Sequence, residues 1–241
     1  FFLGSIVFGN MMPVILGTRT ISDQVTFDES IPTQIVVVDL DTLTEVKRFE
    51  TDPGAMIHFG NAFEEGDELI IDGMFQDNFG ANETLQDVFN PDGRFGGGWY
   101  MRYYLNMKTG ELKSEQVMET ECEFPTFNTA FTGSRNEVTY TACSVDNGAN
   151  SFFNGISRVT RDGDATVVAL PPGCYGSEPV FVPKINATKE DDGYLMEVVY
   201  NGFEHKSELQ IYRADDVNDQ VCSLKLKHHV PHQFHGFYTP E

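Results

Sequence analysis

The stretch WYMRYYLNMKTGELKSEQV, residues 99–117, decides the fold class. Its first half is dense in aromatic and apolar residues with strand preference, and its centre, Asn106-Met107-Lys108-Thr109-Gly110, is turn chemistry. The second half resumes an alternation of short runs, so the whole reads as a β-hairpin. The same plan recurs in QIVVVDLDTLTEVKRFE from Gln34, GISRVTRDGDATVVAL from Gly155 and LQIYRADDVNDQVCSLKL from Leu209. Further strand-like runs lie between these hairpins: DELIIDGMF from Asp67, NEVTYTACSV from Asn136, EPVFVPK from Glu178 and GYLMEVVYNG from Gly193. The last two are joined through Asp191-Asp192-Gly193. No stretch sustains a 3.6-residue apolar period, and the one helical turn expected lies around Asn82 to Val88.

Hairpins recurring about every fifty to sixty residues, each with another strand pair nearby, have the spacing of four-stranded propeller blades. The chain is therefore expected to be all-β, a single β-propeller domain over residues 1–241 with about four blades, either a small complete propeller or part of a larger ring. A two-sheet sandwich uses the same hairpins without the repeat and stands as the structural competitor.

Composition narrows the partners. The 241 residues carry 16 Lys and Arg against 37 Asp and Glu, a formal charge of -21, and this excess repels phosphate backbones. No nucleic acid is expected as a partner. Cys122, Cys143, Cys174 and Cys222 stand far apart, with no C-x-x-C pair, and read as reduced core residues. The opening FFLGSIVFGNMMPVILGT, broken by Gly4, Gly9, Asn10 and Pro13, is too short and interrupted for a bilayer span and lacks the layout of a signal peptide. It reads as strand and loop material from inside a larger protein. Gly93 to Gly98, GRFGGG, has neither P-loop nor dinucleotide spacing, no nucleophile elbow is present, and ADDVNDQ lacks the pattern of an EF-hand loop.

Six histidines remain: His58, His205, His228, His229, His232 and His235. Imidazole suits iron, copper, zinc or nickel, provided the ligands converge from separate elements. A propeller axis offers such a point without any local spacing motif. On its own surroundings, a lone histidine such as His58 reads more readily as a hydrogen-bonded core or turn residue than as a ligand.

Five blocks carry a resemblance. HFGNAFEEGDELIID (His58 to Asp72) has the form H-x-x-N-A-[FY]-E; EFPTFN starts at Glu123; SEPVFVP starts at Ser177; EDDGYL starts at Glu190; and VPHQFHGFY, from Val230, contains P-x-x-F-H-G. In this order they resemble the carotenoid cleavage oxygenases, the non-haem iron family that includes apocarotenoid and stilbene cleavage enzymes and the retinal pigment epithelium isomerohydrolase. WYMRYYL is similar to that family's L-x-R-[YW] strand. The resemblance implies a seven-bladed propeller holding an Fe(2+) ion with four histidines, backed by three glutamates. By motif position His58 and His235 are two of the ligands, and Glu123 and Glu178 are two of the glutamates behind them. The family's other two histidines and third glutamate lie upstream of the segment resembling FFLGSIVFGN. Glu64 and Glu65 read as solvent-facing loop charges, and His232 falls where the family tolerates many residues.

The implied activity is oxidative cleavage, by O2, of a conjugated C=C bond in an apolar polyene or stilbene-like substrate, giving two carbonyl products. The alternatives are a truncated or inactive propeller serving as a binding module, and an isomerase on the same iron. The resemblance also implies that Phe1 to Leu16 meets a membrane surface peripherally, against the plainer reading of a buried strand. The expected location is a cytoplasmic or plastid-like interior.

Overall fold

A computed structural model describes residues 1–82, 97–146, 152–232 and 234–239. Short β-strands dominate it. β1 (Phe2–Leu3), β2 (Ile6–Phe8) and β3 (Val25–Phe27) open the chain, followed by the hairpin of β4 (Thr33–Val38) and β5 (Glu45–Thr51). The order β1-β4-β5 makes a three-stranded sheet, and β2 pairs with β3 beside it. Next come β6 (Ala55–Glu65), β7 (Glu68–Gln76), β8 (Trp99–Asn106) and β9 (Leu112–Gln116), paired in sequence as a four-stranded antiparallel sheet. A second four-stranded sheet follows from β10 (Cys122–Thr126), β11 (Val138–Cys143), β12 (Gly155–Thr160) and β13 (Ala165–Ala169). The last is built from β14 (Cys174–Gly176), β15 (Val180–Pro183), β16 (Gly193–Asn201), β17 (Lys206–Arg213) and β18 (Gln220–Lys225), with β14 and β15 both pairing β16.

The four expected hairpins are β4–β5, β8–β9, β12–β13 and β17–β18. Each sheet stacks on the next in chain order. Ile35 and Phe49 of the first sheet bury against Ile71, Tyr103 and Leu105 of the second. Met74 and Tyr100 of the second meet Cys122, Cys143 and Val159 of the third. Val138, Tyr140 and Ile156 of the third meet Phe181, Leu195 and Tyr212 of the fourth. A sandwich would close one core between two sheets; here successive cores run between successive sheets, which is blade-on-blade packing.

Two local expectations need correction. Within the opening apolar stretch, Met12–Ile15 forms one helical turn, α1, which Pro13 starts because its missing N–H falls where a helix needs none. Glu64 and Glu65 are not loop residues: they end β6, although both are exposed and Glu65 pairs with Arg135 at 3.0 Å. The turn expected around Asn82 to Val88 lies outside the described residues beyond Asn82. Cys122, Cys143 and Cys174 are buried free thiols, and burial pushes all three thiols up; Cys222 is partly exposed on β18. Among the described residues no helix is long and apolar enough to cross a membrane.

Candidate metal centre

His58 sits on β6 where the ladder with β7 is irregular. Met56 faces Phe75 and Phe59 faces Gly73, so two residues on β6 stand against Met74 alone. Such a bulge re-aims the side chains it carries. Asn61, the Asn of H-x-x-N, secures this stretch from the other side. It is buried, and its side-chain amide donates to the carbonyls of Phe131 at 3.0 Å and Ser134 at 2.7 Å. The spacing of His58 and Asn61 is therefore partly structural, since it ties β6 to the turn after β10.

Glu123 lies on β10 at a second bulge. It faces Ala142, and the next regular pair is Thr126 with Tyr140. Phe124 inside this bulge adopts φ +55°, a left-handed backbone rare for a bulky residue. Pro125 follows it, where a residue without an N–H costs no ladder bond. The E-F-P block is thus a kink that turns a glutamate inward. Glu178 lies between β14 and β15, and His235 in the segment after β18.

The four side chains converge. Glu123 Oε2 stands 2.7 Å from His58 Nδ1 and also accepts the Phe124 amide at 3.1 Å. Glu178 accepts from His235 Nδ1 at 3.2 Å through Oε1, and from the Gly236 amide at 2.7 Å through Oε2. The two Nε2 atoms face each other at 3.3 Å. Glu123 is 5% exposed, so a carboxylate held there needs a donor, and His58 supplies one. With each Nδ1 donating to a carboxylate, each Nε2 presents a lone pair, and the two lone pairs point at the same space.

Two lone pairs that close repel unless a cation or proton lies between or beside them. Their separation matches that of two nitrogens sharing one first-row ion at about 2.1 Å each with an angle of about 100–105° between them. The residues therefore fit a metal. Among the described residues no group of three or more metal-ligating side chains gathers. Aromatic rings border the pair. Phe124 lies 5.0 Å from His58 and 5.7 Å from His235 between centroids, with Phe153 and Phe234 edge-on to Phe124 at 5.8 and 6.3 Å. An apolar cavity of about 230 Å³ opens beside His235 and Glu178, lined by Val180, Met196, Val198, Leu209 and Phe234. Sequence reasoning did not single out Phe124 or Phe234, although both stand next to a quoted glutamate or histidine.

The other histidines take no part. His205, His229 and His232 gather around Tyr200.

Stacked four-stranded sheets carrying two carboxylate-held histidines that face one another place the chain among β-propellers with a histidine pair at the blade junction. The chain belongs to the retinal pigment epithelial membrane protein family, whose profile matches residues 5–240. It is similar to the apocarotenoid-15,15'-oxygenase of Synechocystis, 29% identical over 99% of this chain and 49% of the relative. It is also 30% identical to the carotenoid 9,10(9',10')-cleavage dioxygenase of Crocus sativus, over 81% of this chain and 38% of that protein. Among solved structures, a variant of Synechocystis ACO superposes with TM-score 0.86 at 27% identity, covering all of this chain and 50% of that one. Cobalt-substituted Synechocystis ACO superposes at 0.84, with 27% identity over 98% of this chain and 49% of that one. The chain thus spans about half the length of the curated relatives it matches most fully.

Proposed function

We propose that this protein is a non-haem Fe(II) dioxygenase that cleaves a conjugated C=C bond of a carotenoid, apocarotenoid or stilbene-like substrate, with His58 and His235 among the iron ligands. One alkene and one O2 give two carbonyl groups, so the atoms balance without a further reductant. The observation that carries the reading is the pair of imidazoles with Nε2 lone pairs 3.3 Å apart, each ring held from behind by a glutamate. The names of the relatives, cleavage oxygenases of carotenoids and apocarotenoids, supply the substrate class, and a cobalt-substituted relative supports a metal at this fold.

When bound, iron supplies the activation of O2. The chain's own residues do the rest. Glu123 and Glu178 fix the tautomers and aim the rings, and both raise the donor strength of Nε2. Phe124 and Phe234 offer an apolar wall suited to a polyene. No side chain is assigned as acid or base. Phe1, Phe8, Ile15 and Leu16 are 78, 63, 73 and 69% exposed, which supports a peripheral membrane surface through which a lipid-soluble substrate is collected. An aqueous interior bordering such a membrane, cytoplasmic or plastid-like, is the location this reading favours.

Metal analysis after anaerobic Fe(II) loading and desalting tests the site. Iron retained by the chain should be lost in the His58→Ala, His235→Ala double variant, and Glu123→Gln should weaken retention by about 10–100-fold. Equal iron in the double variant overturns the assignment. Loss of polyene absorbance matched one to one by O2 uptake tests the cleavage itself, and iron bound without turnover would favour a binding module.

A further inference from the structure

The segment after β18 carries His235, yet its described residues form no strand ladder to hold it. Its first fasteners are at Ser207, a fully buried residue: Leu226 donates to the Ser207 carbonyl at 2.9 Å, and Val230 donates to Ser207 Oγ at 2.8 Å. Its next backbone hydrogen bond among the described residues is Gly236 to Glu178 at 2.7 Å. Between these points stands His232. Its ring lies on that of Phe152, with centroids 4.1 Å apart and planes 8° from parallel. Tyr200 and Tyr175 close on it edge-first at 5.4 and 6.2 Å. Tyr200 continues the cluster to His205 through a 2.7 Å bond between its hydroxyl and Nδ1, and His205 stacks on His229 at 4.5 Å.

Three of the four histidines outside the pair, His205, His229 and His232, thus join one aromatic cluster around Tyr200. We propose that His232 is a positioning residue for His235. Its flat stack on Phe152 fixes the backbone at His232, three residues before His235, and so holds His235 Nε2 opposite His58. Close parallel stacking supplies orientation as well as contact, which a hydrogen bond at either end of a free segment does not. Partial desolvation by these rings lowers the affinity of His232 for a proton, in keeping with a ring used for its neutral face. The purpose given to His235 rests on the iron reading above; the anchoring does not.

Hydrogen exchange read by mass spectrometry on this chain tests it, with wild type, His232→Ala and His232→Phe compared over residues 226–239. His232→Ala should speed exchange at the Gly236 amide by about tenfold, while the β17–β18 ladder stays protected. His232→Phe keeps a flat ring without a ligating nitrogen and should restore protection to within about twofold of wild type. Unchanged exchange in His232→Ala overturns the proposal, and so does a Phe variant that exchanges as fast as the Ala variant. A wild-type chain that retains no iron would count against the metal reading alone, because the exchange comparison uses no metal.

Discussion

Glu197 shows most sharply what a single residue does here. It is 1% exposed on β16, and neither carboxyl oxygen has a hydrogen-bond partner among the described residues. Gly176 makes room for it, since a Cβ there would lie 2.0 Å from Glu197 Oε1. Burial without a partner pushes the carboxyl up to about 8 from an ordinary 4.5. The folded chain therefore keeps a proton that the unfolded chain loses, and stability falls as pH rises from about 4.5 to about 8, then levels. Melting temperatures between pH 5 and 9 should show this decline in wild type and not in Glu197→Gln. The difference should reach a few kcal/mol at the alkaline end. Parallel pH profiles for the two proteins would rule the mechanism out. Nothing in MEVVY marks Glu197 in the sequence; its burial is a property of the folded sheets.

The elements themselves follow from local chemistry. In β8–β9, Asn106 accepts the amides of Lys108 and Thr109 at 3.1 and 2.8 Å, and Gly110 closes the turn at φ +83°. Only glycine takes that backbone without strain, so Gly110→Ala should cost about 1–2 kcal/mol in urea denaturation, with the sheet otherwise intact. A cost below the error of the measurement would mean the turn rearranges. These devices were legible because turn residues and apolar alternation act over a few positions. The bulges were not. The displacement of His58 on β6 and the left-handed Phe124 on β10 depend on the partner strand's register, and E-F-P alone does not say which way its glutamate turns.

At the scale of the molecule, the sheets are joined by more than apolar contact. Asp72 on β7, 1% exposed, accepts from Tyr100 at 2.9 Å and Arg102 at 2.8 Å on its own sheet, and from Arg161 of the next sheet at 3.4 Å. Arg102 returns a bond to the Arg161 carbonyl at 2.7 Å. Asp72→Asn leaves two guanidinium groups facing a neutral amide in a buried setting, which should cost about 3–5 kcal/mol of unfolding free energy. Chemical denaturation followed separately by tryptophan fluorescence at Trp99 and by far-UV circular dichroism checks this, and a loss under 1 kcal/mol would show the network to be dispensable. The net charge of -21 sets the background, favouring solubility and opposing compaction through self-repulsion.

The sequence by itself determined the all-β class, the four hairpins and the order of the family blocks, because turn chemistry, side-chain alternation and short motifs are properties of neighbouring residues. Only the tertiary structure decided that His58, Glu123, Glu178 and His235 meet, with His58 and His235 brought together across 177 positions. It also decided that three of the remaining histidines form an anchor rather than a ligand set. Contacts of that range arise from the stacking of whole sheets and from bulges that redirect single side chains, and neither leaves a periodic trace in the chain.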